Sequence, residues 1–304
     1  MRTRQQTTIA KTVRFDGIAV HSGQPVSMSV CPAIADFGVV FERIDLDGAA
    51  ENRRIIAAPE ALVESALCTR LENADGVAVS TTEHLMAALA GCGIHNALVR
   101  LDGEELPILD GSARDFVRGL RAAGIRSLGA PLRAIRLRRP VAVSDGDRWA
   151  RLEPAPHLSI AFEIEFPDTA IGRQRKDLTL CNDVFLRELA DSRTFCRLAD
   201  IDSMRKRGRA LGSSVDNAVI FDGARVLNPG GLRYPDEPVR HKMLDALGDL
   251  AMAGAPILGR YIGHRAGHAL TTRLVRALMA DPTSHDRIEI GANDDCCLPG
   301  CADA

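Results

Sequence analysis

A helix with two contrasting faces is predicted over residues 236–250. Asp236 is a favourable N-cap residue for it. At 100° per residue, one face is apolar and consists of Met243, Leu244, Leu247, Leu250 and Ala251. Along another side, His241, Asp245 and Asp249 follow one another at intervals of four residues. Such a polar row is typical of a solvated helix face, but an imidazole and a carboxylate one turn apart also suit one metal ion.

Three further segments have the apolar spacing of longer helices. Residues 80–91 begin with Ser80 and Glu83, which are spaced as a capping box. Residues 113–123 are followed by Gly124, which suits a helix C-cap. Residues 267–279 begin in a segment that contains Gly263 and Gly267. Shorter helical patterns cover 183–190 and 201–207.

Alternating or continuous apolar runs predict strands between these helices. The strand segments are 12–20, 26–30, 38–44, 96–101, 158–166 and 218–221. The run at 158–166 alternates, which predicts a half-exposed strand.

The pattern recurs along the chain. Residues 141–155 echo residues 21–33, and each half later has a helix with a histidine near its start, at His84 and His241. This repeat favours an α+β fold of two similar halves over one doubly wound sheet. A Gly/Pro/Ser-containing connection at 124–131 separates the halves. We therefore expect an N-terminal domain at 1–127 and a C-terminal domain at 128–304.

Composition narrows the function classes. The 304 residues carry a formal net charge of −2, which argues against a general nucleic-acid binder. No apolar run approaches the roughly 18 residues of a membrane span, so we expect no stable membrane insertion. The N-terminus has no apolar signal core and the eight cysteines form no Cys-x-x-Cys pair, which indicates a reducing cytoplasm. In the tail, Cys296, Cys297 and Cys301 are expected to be disordered thiols rather than a metal site.

Two histidines and one aspartate give a candidate hydrolytic metal site. His84, His241 and Asp245 would supply three ligands and leave one position for water, which is typical of catalytic rather than structural zinc. Glu83 would then be placed to take a proton from that water. The alternative for Glu83 is the capping-box carboxylate, and the two roles compete.

Two other histidines have open assignments. His268 at the start of the last helix is either a surface residue or a catalytic imidazole. A helix N-terminus disfavours an imidazolium, so a charged His268 would need a nearby carboxylate, and Asp249 is the candidate. His21 stands by a turn and is most simply a loop residue, although it is also a candidate to line a site.

Several long motifs occur in a recognisable order. They are 80–91, starting Ser-Thr-Thr-Glu-His, 106–113, 192–195, 239–250 and 267–270. Taken together, they resemble the zinc-dependent UDP-3-O-acyl-N-acetylglucosamine deacetylases of lipid A biosynthesis. The resemblance runs from Thr12 to about Leu278. It implies two similar domains, each with a small β-sheet packed with two helices, and an active site at the domain interface.

The resemblance also implies roles for individual residues. The metal ligands would be His84, His241 and Asp245, with Glu83 as general base. The other functional residues would be His268 as general acid, Asp249 to orient it, Thr194 at the oxyanion, Lys242 at the nucleotide diphosphate and Phe195 near the sugar. A channel for the acyl chain would belong to an insert at about 194–217. The implied reaction is hydrolysis of the N-acetyl group, the committed step of lipid A biosynthesis.

Two other functions stay open at this stage. One is a metal hydrolase of another amide, and the other is a non-enzymatic sugar-nucleotide binding protein. The expected cofactor is Zn²⁺, with Fe²⁺ as an alternative because a His/His/Asp site accepts both ions. The expected partner is the acylated UDP-sugar substrate, and we expect a monomer.

Overall fold

The computed structural model describes residues 3–291 and 298–300. The elements of the first half are β1 (Gln5–Ile9), β2 (Val13–Ile18), β3 (Pro25–Pro32), β4 (Val39–Arg43), β5 (Arg54–Ile56), β6 (Leu62–Val63), β7 (Arg70–Glu72), β8 (Ala78–Ser80), α1 (Glu83–Gly91), β9 (Ala97–Leu101) and α2 (Arg114–Ala123).

The second half follows directly after α2. Its elements are β10 (Ile125–Pro131), β11 (Arg133–Leu137), β12 (Val141–Asp145), β13 (Arg148–Glu153), β14 (Ser159–Glu165), β15 (Arg173–Thr179), α3 (Val184–Glu188), β16 (Phe195–Arg197), α4 (Leu198–Lys206), β17 (Val219–Asp222), β18 (Arg225–Val226), α5 (Glu237–Ala251), β19 (Ile257–Leu258), β20 (Arg260–His264), α6 (His268–Ala280) and β21 (His285–Glu289).

Each half contains a sheet of the same topology. The strand orders are β2-β3-β9-β4-β5 and β12-β13-β20-β14-β15. In both sheets the middle strand runs parallel to one neighbour and antiparallel to the other, while the outer pairs are antiparallel. A helix precedes and another follows the middle strand in each half. The predicted α+β class with two similar halves is confirmed, and the boundary at residue 127 stays a prediction.

The halves meet where α1 packs along α5. Both helices are buried on nearly every side, and α6 also packs on α5. The contact is close because α5 carries a glycine at position 248. A Cβ atom there would lie 2.1 Å from the backbone oxygen of Glu83, which is far inside van der Waals contact. Gly248 therefore sets the separation of the two helices.

Neither predicted N-cap side chain caps its helix. The α1 helix begins at Glu83 rather than Ser80, and its Thr82 N-cap makes no side-chain capping hydrogen bond. The capping box was therefore wrong, because the Glu83 carboxylate accepts a hydrogen bond from the Thr69 N–H instead. In α5, Asp236 occupies the N-cap position but bonds to Arg240 and Lys176.

Two strand predictions also needed correction. The alternating run at 158–166 forms β14, but its residues are almost all buried, because β14 lies inside the sheet and packs against α5. The connection at 124–131 is largely strand, since β10 pairs antiparallel with β1.

The cysteines and the tail are described only in part. Cys31, Cys68, Cys92 and Cys196 are free thiols, and Cys181 is disulfide-bonded. Cys296, Cys297 and Cys301, which were predicted to be disordered thiols, lie outside the described residues. Among the described helices, none has the length and apolar character needed to cross a membrane.

Replacing Gly248 by alanine tests the helix contact. The added methyl group would clash with backbone atoms of Glu83, which cannot move aside as a flexible side chain could. We therefore expect the free energy of unfolding to fall by about 1–3 kcal/mol, the usual cost of overpacking. Urea unfolding measures the change. Gly230→Ala is the matched control, because a Cβ at Gly230 meets nothing within 4 Å. Equal stability of the two variants would contradict the close contact.

His95, between α1 and β9, makes stability depend on pH. Burial lowers its pKa from 6.5 to about 4, and its Nδ1 accepts a hydrogen bond from the Thr7 N–H at 3.1 Å. Between about pH 6.5 and pH 4, His95 therefore binds a proton in the unfolded chain but not in the folded chain. The free energy of unfolding falls as the pH falls through this range.

The non-titrating variant His95→Asn isolates this contribution. Relative to the variant, wild type should lose about 2 kcal/mol of unfolding free energy between about pH 7 and pH 5. Chemical unfolding of both proteins across that range measures the difference. Parallel pH profiles would show that His95 does not carry the effect.

Candidate metal centre

His84, His241 and Asp245 bring three metal-binding side chains to one buried point between α1 and α5. Each offers one ligand atom, and these atoms lie within 4.8 Å of one another. Asp245 Oδ1 is 3.2 Å from His241 Nε2 and 3.5 Å from His84 Nε2. Ligands arranged tetrahedrally about zinc at about 2.1 Å stand about 3.4 Å apart. The spacing fits a small tetrahedral ion that takes a fourth ligand from outside the cluster.

The hydrogen bonding around Asp245 supports the same conclusion. Asp245 Oδ1 faces both imidazole rings, yet within the described part of the chain it accepts no hydrogen bond of normal geometry, and His84 Nδ1 is likewise buried with no partner among the described residues. Leaving a buried polar atom unsatisfied costs about 1–3 kcal/mol, and more for a charged one. A cation would satisfy the carboxylate oxygen, so these residues fit a metal ion.

A hydrogen bond on the side of the ring away from Asp245 fixes the orientation of His241. Its Nδ1 lies 3.0 Å from the backbone oxygen of Ser192. A carbonyl oxygen only accepts hydrogen bonds, so Nδ1 carries the proton and Nε2 presents its lone pair to the cluster. Burial lowers the pKa of His241, which favours the neutral ring that a metal requires.

Lys242 pairs with the other oxygen of Asp245. Its Nζ donates to Asp245 Oδ2 at 2.6 Å. Burial raises the pKa of Asp245, but the contacts with His241 and Lys242 outweigh burial and hold this pKa well below its usual range. The carboxylate therefore stays ionised at neutral pH.

Glu83 and His268 face the cluster from the starts of α1 and α6. Glu83 Oε1 is 4.0 Å from His268 Nε2, and His268 Nε2 is 3.6 Å from Asp245 Oδ2. Burial raises the pKa of Glu83, which makes its carboxylate a better proton acceptor. A base and an imidazole thus stand beside the same three ligands.

Asp249 holds His268 in the charged form. Asp249 Oδ2 lies 3.0 Å from His268 Nδ1, on the side of the ring away from the cluster. Burial alone would lower the pKa of His268, but the Asp249 carboxylate outweighs burial, and the pKa rises to about 9. Asp249 is thus the carboxylate that an imidazolium at this helix N-terminus requires.

A cavity of about 570 Å³ opens onto the cluster. Its lining includes Glu83, His84, His241, Lys242, Asp245, His268, Thr194, Phe195 and His21. The Phe195 ring lies 6.4 Å from the His241 ring, centroid to centroid. Thr194 is half-buried, and its N–H donates to the backbone oxygen of Gly111 at 2.7 Å. Strand β16 and helix α4 form one wall of this cavity.

The segment before Phe195 is anchored to the start of α5. Glu237 is completely buried and accepts hydrogen bonds from the Arg193 N–H at 3.0 Å and from Arg193 Nε at 2.8 Å. It also accepts from the Arg233 N–H at 2.7 Å. These hydrogen bonds from Glu237 fix the positions of Ser192 and Thr194 on either side of Arg193. They thereby also fix the Ser192 carbonyl, which accepts the hydrogen bond from His241 Nδ1.

The residues singled out in the sequence converge on this site, and some contributors escaped notice. All three expected ligands, Glu83, Lys242, Thr194, Phe195 and His268 line the cavity, and Asp249 stands behind His268. Thr69 and the Ser192 carbonyl were missed. Thr69 contributes its backbone and its hydroxyl, and Ser192 contributes only its backbone oxygen, and neither kind of contact leaves a motif in the sequence. His21 lies in a turn, as expected, and is also buried against the cavity, which agrees with the alternative that it lines a site. Its place beside a turn was the only available signal.

Known proteins resemble most of the chain. Residues 6–280 match the family model described as UDP-3-O-acyl N-acetylglycosamine deacetylase. A UDP-3-O-acyl-N-acetylglucosamine deacetylase of Phenylobacterium zucineum (strain HLK1) is 50% identical over 277 residues, which cover 91% of this chain and 94% of the relative. Proteins of the same name from Shewanella sp. (strain W3-18-1) and Shewanella baltica (strain OS155 / ATCC BAA-1091) are 45% identical, covering 90% of each chain.

Glu237→Ala tests the anchor at α5. Removing the buried carboxylate leaves the Arg193 guanidinium without its ionic partner, so we expect a loss of about 3 kcal/mol in unfolding free energy. Urea unfolding measures it. Asp222→Ala, which breaks only the exposed pair with Arg225, is the control and should cost at most about 1 kcal/mol. A Glu237 variant as stable as this control would show that the hydrogen bonds of Glu237 are dispensable.

Proposed function

The chain belongs to the UDP-3-O-acyl N-acetylglycosamine deacetylase family, and we propose that His84, His241 and Asp245 hold the metal ion of its reaction. The chain is a deacetylase of lipid A biosynthesis. It hydrolyses the N-acetyl group of UDP-3-O-acyl-N-acetylglucosamine to give UDP-3-O-acyl-glucosamine and acetate. The convergence of three buried ligand atoms beside Glu83 and His268 is the observation that carries the proposed metal assignment.

We propose Zn²⁺ as the ion, with Fe²⁺ as the alternative. Two imidazoles and one carboxylate suit both ions, and three protein ligands are typical of catalytic sites. When bound, such an ion supplies Lewis-acid chemistry: it polarises the amide carbonyl and lowers the pKa of water. The protein side chains perform the proton transfers.

Glu83 is the proposed general base. Its Oε2 accepts the Thr69 N–H at 2.9 Å, which leaves Oε1 directed towards His268 and the cluster. Burial favours proton uptake by this carboxylate. Glu83 therefore takes the proton of the water that attacks the acetamide carbon, and a general base of this kind contributes about 10²–10⁴-fold to the rate.

His268 is the proposed general acid. Collapse of the tetrahedral adduct breaks the C–N bond, and the departing nitrogen needs a proton. The Nε2 atom of His268 faces the cluster, while Nδ1 is engaged by Asp249 at 3.0 Å. Nε2–H is therefore the proton delivered to the amine, and Asp249 orients the ring for this transfer.

The remaining roles concern substrate. We propose that the Thr194 hydroxyl donates to the developing oxyanion, that Lys242 meets the diphosphate, and that Phe195 packs near the sugar. The wall at about 194–217 would accommodate the acyl chain. These roles place catalysis between an N-terminal domain (1–127) and a C-terminal domain (128–304). We further propose a monomer that acts in the cytoplasm.

Metal removal tests the assignment. Chelation should abolish acetate release from UDP-3-O-acyl-N-acetylglucosamine, and return of about one zinc ion per chain should restore it. Acetate release is measured together with metal content by elemental analysis. Activity that survives complete removal of metal would overturn the metal assignment.

Matched variants separate metal binding from proton transfer. His84→Ala should lose both bound metal and activity. Glu83→Gln should keep the metal while the rate falls about 10²–10⁴-fold, since only the base is removed. Loss of metal from the Glu83 variant would place this residue among the ligands instead.

A further inference from the structure

Thr69 occupies a position between the two proton-transfer groups. It immediately precedes β7 and is 1% exposed. Its backbone N–H donates to Glu83 Oε2 at 2.9 Å, and its backbone oxygen accepts from the Thr82 N–H at 3.4 Å. The backbone of this one residue thus holds both the base and the turn that leads into α1.

The Thr69 side chain faces the opposite group. Its hydroxyl donates to Asp249 Oδ1, and Thr69 Oγ1 lies 3.2 Å from His268 Nδ1. An ionised carboxylate only accepts hydrogen bonds, so the hydroxyl proton must point at Asp249. The oxygen lone pairs are then left facing the His268 N–H.

Asp249 is thereby held by two different donors. One carboxylate oxygen takes the Thr69 hydroxyl, and the other, Oδ2, lies 3.0 Å from His268 Nδ1. Asp249 is 2% exposed, so water does not replace a missing donor without rearrangement. With the hydroxyl removed, Oδ1 keeps only its 3.2 Å contact with His268 Nδ1, so both carboxylate oxygens depend on one N–H and the carboxylate can rotate relative to the ring.

We propose that Thr69 is a positioning residue that couples the general base to the general acid. Through its backbone it fixes Glu83, and through its hydroxyl it fixes the Asp249–His268 pair. Thr69 lies in the first half of the chain, whereas Asp249 and His268 lie in the second. Proton uptake and proton delivery are therefore aligned by one residue that is not among the residues lining the cavity. This inference rests on the proposed roles of Glu83 and His268.

Thr69→Val and Thr69→Ser test the hydroxyl. Valine keeps the branched shape and removes the donor, so kcat should fall about 10–100-fold, the usual loss when a residue that orients an active-site group is removed. KM should change little, because Thr69 is not among the residues that line the cavity. Serine keeps the hydroxyl and should recover most of the lost kcat. Thr179→Val, at an exposed position in β15, is the control for the substitution itself.

Three further measurements exclude a general structural effect. Metal content should be the same in the valine and serine variants, and both should unfold in a single cooperative urea transition, even though the valine midpoint is lowered by the lost hydrogen bond. The ¹⁵N resonance of His268 Nδ1 should shift in the valine variant and return in the serine variant. A valine variant that keeps wild-type kcat and the wild-type resonance would overturn the inference. Equal losses in both variants would also overturn it, because they would indicate packing rather than the hydroxyl.

The outcome is distinguishable from failure of the proposed function. If metal-loaded wild type releases acetate and Glu83→Gln does not, the proposed function stands while the Thr69 comparison decides the inference. If Glu83→Gln and His268→Gln both keep wild-type rates, the proposed roles fail, and the coupling proposed for Thr69 falls with them.

Discussion

The contact between α1 and α5 is the constraint on which the rest of the structure depends. Gly248 lets the backbone of α5 approach that of Glu83, and a methyl group at this position would lie 2.1 Å from the Glu83 oxygen. The same approach brings His84 to within 3.5 Å of Asp245. Since neither helix is polar all round, burial of their apolar faces drives the contact, and the polar row on α5 becomes enclosed by it. Site geometry and core packing are thus set by the same glycine.

The two sheets share a topology, but their helices differ in chemistry. Each half places a helix before its middle strand, α1 in one and α5 in the other. The first of these contributes Glu83 and His84 to the candidate site, whereas the second contributes His241 and Asp245. One fold element used twice therefore supplies two unequal parts of one site, which is how a repeated scaffold supports a chemistry that neither copy could carry.

Much of the fold could be predicted from local sequence patterns. The helices α5 and α6 began and ended close to the predicted positions, because their apolar spacing and flanking residues agree. The errors arose where a distant partner prevailed over a local rule. Glu83 bonds to Thr69 instead of closing a capping box, and Asp236 pairs with Lys176 and Arg240. The burial of β14 depends on neighbouring strands and on α5, which a period-two pattern does not reveal.

The candidate site was predictable to a different degree. Side-chain types and motif order singled out His84, His241 and Asp245 as candidate ligands, with Glu83 and His268 beside them, and the geometry brings these side chains together. The supporting contacts were not predictable, since a backbone carbonyl such as that of Ser192 is present at every residue and acquires a role only through position. Thr69 belongs to the same class, because its partners Asp249 and His268 are 180 and 199 residues away.

A ligand set divided between two helices has a thermodynamic consequence. An ion held jointly by α1 and α5 would act as a reversible cross-link between the two helices. Ion binding and the association of the two halves would then be linked equilibria, so that tighter binding of the ion also stabilises the contact between the halves. At a free ion concentration about 100 times Kd, such an ion would stabilise the joined arrangement by about 2.7 kcal/mol. Metal availability would then influence what fraction of the chains is folded as well as whether the chain turns over substrate.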